Sequence, residues 1–544
     1  MPWRTPRDHK YVTRALALAA LFAAWIAAGL FGHDPWKPDE AYTVGLVHHI
    51  LQYNDWLVPT LAGQPFVEKP PLFFWTAALF ANAFQGVLPL HDGARLASAF
   101  YVALTLAFTY LTAKDWCHSP VAAALVLAGS LGYLQHAHQL ITDNALMAGI
   151  TIGLYGIARS SGLALGTGAG MAFLSKGLLG PGVLGLTALA VLLFREWRTR
   201  AYLQSWLIAF VAFLPWALIW PALLYRHSPA LFHEWLWVNN FGRFTGEAGL
   251  GGVLDHAHYA KALLWFALPA WPLALWALWR DRLSSPLVQL GAVAFIVILG
   301  VLSAASAART LYGLPMLVPL ALLAAVGLES VPRWLAWPLH MLALAVAGVL
   351  ALVLWVGWLA LVAGWAPASL EAYSPGFVPR IEPIALAGAL AVTALWLFAF
   401  RLALPARWLA GVTLVWGLAM TLWIGWLDHA KSYRGVIAEM QRARPKGECV
   451  TPRDLSEPQR AMFDYFAGIT AAKRDCPLLL IHTASAKPPA VGEGWQLRWR
   501  GTRPGDEKEF FWLYERVRSV GRNSDPGPEF SSDARRSGSC SMPS

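Results

Sequence analysis

Long runs of apolar residues, separated by short polar connectors, occupy most of the first 426 positions of the chain. About thirteen of these runs are long enough, or nearly so, to cross a bilayer, which takes a helix of about 20 residues. They lie at approximately 12–31, 95–113, 119–135, 145–159, 162–175, 178–194, 205–224, 260–279, 287–303, 311–328, 334–362, 383–400 and 408–426. The pattern predicts a mainly α-helical, polytopic membrane protein.

The stretch 71–90 is also apolar, and the charges of the connectors decide how to interpret it. A basic cluster precedes the first run, which places the N-terminus in the cytoplasm by the positive-inside rule. If 71–90 lies along the membrane surface, the later basic connectors also fall inside. We therefore predict an interfacial helix at 71–90, and four outer segments at 32–94, 136–144, 225–259 and everything after about 427.

The chain changes character beyond Asp428, where charged residues mix with short apolar runs. Ser432–Arg444 has helical spacing, Pro477–His482 predicts a buried strand, and Trp495–Arg500 and Phe510–Tyr514 predict alternating strands. The predicted organisation is therefore a membrane domain over 1–426, with juxtamembrane helices in its first outer loop (32–94). A small α/β domain over 427–518, facing the periplasm, and a disordered tail over 519–544 follow.

Two of the four cysteines, Cys449 and Cys476, lie in this predicted outer domain. Disulfides form in oxidising compartments such as the bacterial periplasm. We therefore expect these two residues to form a disulfide bond.

Composition supports the membrane interpretation and limits the kinds of molecule that the protein is expected to bind. The chain is 57% hydrophobic and 14% charged, whereas a soluble domain carries about 25% charged residues. Its net charge is +10, but the basic residues cluster between apolar runs, which indicates membrane topology, anionic lipid or a phosphate-bearing substrate rather than nucleic acid. There is no Walker loop or dinucleotide-binding glycine motif at the required spacing.

Acidic and basic residues on the predicted outer side could carry chemistry. Asp39 and Glu40 begin the polar part of the first outer loop, where acids close to the bilayer are costly unless they have a use. Asp143 stands where another helix enters the membrane. The alternatives are a solvated loop for the Asp-Glu pair and a helix N-cap for Asp143. If the side chains converge, the acids and the cations predict a phosphate site beside a catalytic carboxylate; the cations are Lys69, Lys176, Arg243 and Arg309.

Several short motifs resemble one known family. Asp39-Glu40, followed by Glu68-Lys69-Pro70-Pro71-Leu72, is similar to the first periplasmic loop of the lipid A aminoarabinose transferases. These enzymes belong to the protein O-mannosyltransferase-like group of GT-C glycosyltransferases. The similarity continues in Thr142-Asp143, in Leu174-Ser175-Lys176-Gly177 and in Arg309-Thr310-Leu311-Tyr312-Gly313-Leu314-Pro315.

The resemblance implies a sugar transferase of the bacterial inner membrane with its active site facing the periplasm. Its donor would be a sugar, with an amino sugar as one option, on a polyprenyl phosphate such as undecaprenyl phosphate, and its acceptor lipid A or another envelope molecule. Asp39 matches the essential carboxylate and Asp143 a second acid, while Lys69 and Arg243 match positions that hold the donor phosphate. Tyr42, Tyr312 and Glu68 would line the site, and Glu40 is grouped with the catalytic acids. The resemblance leaves open whether a divalent metal assists as cofactor.

The chain departs from the family at one position. Family members often have Arg shortly after the Asp-Glu pair, whereas this chain has Tyr42 there, followed by Thr43. This difference indicates a change in the acceptor or in the details of phosphate binding.

Two alternative functions follow from the same residues. One is a protein O-mannosyltransferase-type activity on secreted polypeptides. The other is a transporter of lipids or sugars, which favours internal repeats and interrupted helices in matching halves. The sequence contains no clear repeat, and its acids cluster in a loop, so transfer of a sugar is the leading hypothesis.

Overall fold

The computed structural model describes residues 6–517 except 243–244, 247–254, 256, 306–307, 401 and 472–474. Most of the described chain is helical. The helices of the first half are Pro6–Ala27, Asp39–Tyr53, Leu72–Ala83, Leu90–Ala113, Val121–Ala128, Leu131–Ala137, Thr142–Ala158, Gly162–Lys176, Leu179–Ala190, Arg200–His227, Pro229–His233 and the π-helix Glu234–Gly242. Those of the second half are His258–Phe266, Ala270–Asp281, Pro286–Ala304, the 3₁₀ segment Thr310–Met316, Leu317–Ser330, Arg333–Val362, Ala368–Tyr373, Pro383–Ala399, Leu404–Leu422, Ile424–Lys431, Arg434–Ala443 and Glu457–Ala467.

The helices vary widely in their ability to cross a membrane. Within the described residues, five are long and apolar enough, or up to seven if each of two sharply bent pairs forms one span. Other apolar runs are divided: the run at 119–135 forms the two short helices Val121–Ala128 and Leu131–Ala137, separated by Gly129 and Ser130. The chain is therefore a mainly helical membrane protein, while the count of about thirteen crossings stays a prediction.

The ambiguous stretch 71–90 contains a helix of only 12 residues, Leu72–Ala83. At 1.5 Å per residue this helix is about 18 Å long, which is shorter than the hydrocarbon core of about 30 Å. Phe73, Phe74 and Ala77 on this helix are fully buried within the protein. Its length agrees with the prediction that this segment does not cross the membrane.

The 32–94 loop is folded and packs against the C-terminal region. Its main helix, Asp39–Tyr53, contacts the helix Glu457–Ala467. The approach is close at Gly45, where a Cβ atom would lie 2.8 Å from the Cβ of Ala461. Loop and C-terminal residues therefore share one apolar core, which includes Val44, Phe73, Ile437, Leu480 and Phe511.

The C-terminal region forms a mixed four-stranded sheet with two helices. After the hairpin β1 (Thr60–Leu61) and β2 (Gln64–Pro65) of the 32–94 loop, the strands are β3 (Val450–Arg453), β4 (Leu478–Thr483), β5 (Trp495–Thr502) and β6 (Phe510–Arg516). Their order is β3-β4-β6-β5, with β3 parallel to β4 and the other two pairs antiparallel. The segments predicted as strands overlap β4, β5 and β6. The short β3 and the helix Glu457–Ala467 were not predicted.

Polar contacts fix this region onto the 32–94 loop. Asp34 accepts hydrogen bonds from Ser432 Oγ at 2.6 Å and from Arg434 Nε at 2.9 Å. Lys37 pairs with Asp506 and, at 3.0 Å, with Glu509.

The structure also contains the predicted disulfide between Cys449 and Cys476, which links the start of β3 to the segment before β4. The predicted boundary at residue 427 thus separates two parts that are joined by both a core and ion pairs. The predicted tail lies outside the described residues.

Candidate active site

The first turn of the helix Asp39–Tyr53 carries the central carboxylate of the site. Tyr42, one helical turn after Asp39, donates a hydrogen bond from its hydroxyl to Asp39 Oδ1 at 2.6 Å. Lys69 donates a hydrogen bond to the same hydroxyl, and its Nζ lies 3.6 Å from Asp39 Oδ1. Only 13% of the Asp39 side chain and 8% of the Lys69 side chain are exposed. The solvated-loop alternative for Asp39 is therefore wrong.

A second acid–base pair is formed by Asp143 and Lys176, whose side chains make an ion pair. Asp143 is 1% exposed and lies in the first turn of its helix, where Ile141 occupies the N-cap position. The N-cap alternative for Asp143 is therefore wrong. Lys176 is the last residue of its helix, which ends at Gly177 with a φ of +68°, a conformation that glycine adopts at no steric cost.

Arg309 and Tyr312 connect the two pairs. Arg309 Nη2 lies 3.8 Å from Asp39 Oδ2, and its guanidinium lies 5.9 Å from the centre of the Tyr312 ring. The Nζ of Lys176 lies 3.9 Å from the centre of the same ring, a geometry that stabilises a cation over an aromatic face. Half of the Arg309 side chain is exposed. These seven residues therefore form one charged cluster that solvent and ligands can reach at Arg309.

The cations keep Asp39 ionised. Burial by itself raises the pKa of this carboxyl, but the Lys69 ammonium, the hydrogen bond from Tyr42 and the charges of Arg309 and Lys176 outweigh burial and hold the pKa below its ordinary value. The pKa of Lys69 is raised: burial opposes its charge, but Tyr42, Glu68 and the nearby carboxylates more than compensate. Burial raises the pKa of the Tyr42 phenol well above 10. At neutral pH the site thus holds a carboxylate, an ammonium and a neutral hydroxyl in contact.

Glu40, which the sequence groups with the catalytic acids, has a different environment. It is 5% exposed and forms a buried ion pair with Arg95 at 2.8 Å. It also accepts backbone hydrogen bonds from Trp36 and Leu140, each at 3.2 Å. Adjacent residues on a helix point about 100° apart, so Asp39 and Glu40 diverge. Glu40 therefore contributes to the structural connection between the 32–94 loop and the helix Leu90–Ala113, and its catalytic role stays a prediction.

Two further residues, Glu68 and Arg243, were predicted from the sequence to belong to the site. Glu68 is half-buried and acts electrostatically on the neighbouring Lys69, so it lies beside the site. Arg243 lies outside the described residues.

Sequence reasoning missed Arg95, which holds Glu40. It stands at the edge of an apolar run and was counted as part of a membrane helix. The signal that could have identified it is its charge within an otherwise apolar helix, where a buried partner is required.

A grouped set of metal ligands is absent from the part of the chain that the structure describes: no three His, Cys, Asp or Glu side chains lie together in a suitable arrangement. Metal dependence therefore stays an open expectation.

Comparisons with known proteins agree with this architecture. Residues 68–225 match the family model of dolichyl-phosphate-mannose-protein mannosyltransferases. The matched segment contains Lys69, Asp143 and Lys176, but it covers less than a third of the chain.

Similar curated proteins are undecaprenyl phosphate-α-4-amino-4-deoxy-L-arabinose arabinosyl transferases. That of Pseudomonas savastanoi pv. phaseolicola is 29% identical over 343 residues, which cover 58% of this chain and 61% of the relative. That of Yersinia enterocolitica is 28% identical over 372 residues, which cover 62% and 63%. The alignments thus span about three fifths of the length of these relatives.

A solved structure extends the likeness to the fold. The crystal structure of ArnT from Cupriavidus metallidurans bound to undecaprenyl phosphate matches with a TM-score of 0.67 over 92% of this chain and 97% of that one, at 16% sequence identity. The apo structure of the same protein matches with a TM-score of 0.66. At this identity the match shows the fold. The chain is thus similar in sequence to undecaprenyl phosphate-α-4-amino-4-deoxy-L-arabinose arabinosyl transferases and shares its fold with ArnT.

Proposed function

We propose that the chain is a membrane glycosyltransferase that moves a sugar from a polyprenyl phosphate to a lipid A-like or other envelope acceptor. The observation that carries the proposal is the cluster around Asp39, in which a buried, ionised carboxylate lies beside three cations. Cations of this kind bind a phosphate, and the carboxylate lies close enough to act on the sugar attached to it. The similarity to the undecaprenyl phosphate arabinosyl transferases supports an amino sugar as the group transferred.

The donor phosphate would bind to Lys69, Lys176 and Arg309, with the sugar directed towards Asp39. During transfer the bond between the sugar C1 and the phosphate oxygen breaks, and the electron pair leaves with the polyprenyl phosphate. The three cations stabilise the negative charge that grows on this leaving group. The energy of the reaction is stored in the donor itself, so no nucleotide site is required.

The role of Asp39 depends on the acceptor. If the acceptor is a hydroxyl, Asp39 takes its proton as C1 forms the new bond to oxygen. If the acceptor is an ionised phosphate, no proton has to be removed. Asp39 then stabilises the positive charge that develops on the sugar ring. The depressed pKa of Asp39 makes it a weak base and favours the second role.

We place the site on the periplasmic side of the inner membrane. Support comes from the charges of the connectors and from the disulfide in the C-terminal region, since disulfides persist in oxidising compartments. A reporter that functions only in the periplasm should therefore be active when it is fused after Ser519. Activity of a cytoplasmic reporter at this position would contradict the proposed orientation.

The pH dependence of the rate should reveal the ionised state of Asp39. Because its pKa lies below the ordinary value of about 3.9, activity should persist as the pH falls and should be lost only when the pH passes through this lowered value. This acid limb should appear in kcat/KM, which reports the free enzyme. Donor phosphate adds negative charge next to Asp39 and raises its pKa, so the acid limb of kcat should lie at higher pH. An acid limb of kcat/KM above pH 5 would contradict this assignment.

Mass spectrometry of lipid A and other envelope glycolipids, with and without the protein, tests the function. A pentosamine or hexosamine that is absent from lipid phosphates in the deletion strain, and restored by the wild-type chain, is the expected result. The family model favours protein mannosylation as the second candidate. Loss of hexose from secreted proteins, with unchanged glycolipids, would support that candidate instead.

A further inference from the structure

A cavity of about 320 Å³ lies between the membrane-embedded helices and the C-terminal region, and Asp39 is part of its wall. The 32–94 loop contributes Trp36, Lys37 and Asp39, and the segment 135–139 contributes Gln135 and Gln139. The opposite side is formed by Lys431 and by the segment 503–506 of the C-terminal region. Lys69, Lys176 and Arg309, the cations assigned above to the donor phosphate, do not line this cavity. Asp39 therefore borders this cavity and also contacts cations that lie outside its lining.

The charges along this cavity are balanced except at one residue. Lys37 pairs with Asp506 and Glu509. Arg503 pairs with the same two carboxylates, at 2.8 and 2.6 Å. Among the described residues, Lys431 is the lining cation whose ammonium has no carboxylate within 4 Å. The cavity therefore contains one half-buried positive charge that is available to an anion.

Lys431 is also held in place. Its ammonium lies 4.4 Å from the centre of the Trp36 ring, and Trp36 is fixed by a hydrogen bond of 2.8 Å from its indole to Asp428. The backbone carbonyl of Ala430, the preceding residue, accepts hydrogen bonds from Gly505 N at 3.0 Å and from Arg503 Nη1 at 3.1 Å. Burial and the charge of Arg503 lower the pKa of Lys431; the acid that opposes them is Glu40, whose charge is already neutralised by Arg95.

The rest of the lining suits a carbohydrate. Trp36, Tyr373 and Trp416 present aromatic rings, and Gln135 and Gln139 present amide groups that can donate and accept hydrogen bonds. Polar and charged side chains make up much of the lining, with aromatic rings between them, a combination that suits a polar ligand such as a sugar. We propose that this cavity is the acceptor subsite, that it takes a phosphorylated sugar, and that Lys431 binds the phosphate of the acceptor. The inference rests on the proposed transferase function and assigns the acceptor to the side of Asp39 opposite the donor.

The assignment also gives the C-terminal region a part in substrate selection. Its segment 503–506 closes one side of the subsite, and the ion pairs of Lys37 and Arg503 set the position of that segment. Donor and acceptor can then approach Asp39 from different sides, one along the membrane helices and the other beneath the C-terminal region.

The test is a purified transfer assay with wild-type protein, Lys431→Ala, Lys431→Arg and Lys508→Ala, using a polyprenyl-phosphate sugar and a phosphorylated glycolipid. Lys508 is exposed two residues after the segment 503–506 and serves as the control for charge. Lys431→Ala should raise the KM for the acceptor about tenfold or more, with kcat and the KM for the donor unchanged. Lys431→Arg should restore most of the affinity, and Lys508→Ala should behave as wild type. If Lys431→Ala does not fold, Lys431→Gln replaces it.

Two additional measurements identify the source of the phosphate. A glycolipid from which the phosphate has been removed should show equally poor KM values with wild type and Lys431→Ala. Inhibition of the wild type by a soluble hexose phosphate, weakened in Lys431→Ala, would show that the sugar phosphate alone is bound; a KM effect without such inhibition would show that the phosphate must be presented on a lipid. An unchanged acceptor KM in Lys431→Ala overturns the subsite. Absence of transfer by the wild type with any polyprenyl-phosphate donor overturns the proposed function itself.

Discussion

Replacement of Asp39 by Asn should lower the rate of sugar transfer by about 10²–10⁴-fold, the contribution expected of a positioned acid–base group, while the protein remains folded and inserted. Asn retains the shape of the side chain but removes the negative charge, and both roles considered for Asp39 require that charge. Its hydrogen bond with Tyr42 can persist, because an amide oxygen also accepts from a hydroxyl. The measurement is kcat for the purified variant with saturating donor and acceptor.

The neighbouring acid provides a matched control. Glu40→Gln removes the same charge one residue later, but it breaks the buried pair with Arg95. Loss of one partner of a buried ion pair typically costs about 3–5 kcal/mol. Glu40→Gln should therefore lower the thermal stability of the protein, whereas Asp39→Asn should not. Near-normal turnover of Asp39→Asn would remove Asp39 from the mechanism, whatever the behaviour of Glu40→Gln.

Lys69→Ala is the second substitution with a large expected effect. A charge-assisted contact to the donor phosphate is worth about 1.5–3 kcal/mol, so its loss should lower kcat/KM for the donor by roughly 10- to 150-fold. The substitution also removes the strongest influence that lowers the pKa of Asp39. The acid limb of kcat/KM should therefore move to higher pH in this variant. A loss of donor affinity and a shifted pH profile together distinguish this variant from one that is only misfolded.

A surface lysine serves as the control for this substitution. Lys487 is exposed in the C-terminal region, and Lys487→Ala changes the net charge by the same amount without touching the site. It should leave donor use and the pH profile unchanged. Equal donor dependence in Lys69→Ala and the wild type would show that the donor phosphate is held elsewhere. The predicted role of Arg243 in the same contact can be measured in the same assay.

Charge and hydropathy were sufficient to predict the class of this protein. The bilayer imposes long apolar helices, and the connectors record their orientation in their charge, so both properties are local and visible in the sequence. The same locality explains why the strands β4, β5 and β6 could be predicted. The short strand β3 was missed because four residues carry too little periodicity, and the apolar run at 119–135 concealed two helices because hydropathy does not register a break at Gly129 and Ser130.

Only the tertiary structure shows which of the predicted residues come together in one site. The sequence identified Asp39, Lys69, Asp143, Lys176, Arg309 and Tyr312 through short motifs, but their meeting depends on four segments whose residues are up to 273 positions apart in the chain. It could not separate Asp39 from Glu40, because two adjacent carboxylates differ only in the direction in which the helix points them and in the partner that each then meets. Arg95 neutralises Glu40, whereas Asp39 meets Lys69 and Arg309. Lys431 and the cavity beside Asp39 likewise arise only when the C-terminal region packs onto the 32–94 loop, since long-range packing decides which charges are paired and which one is left for a ligand.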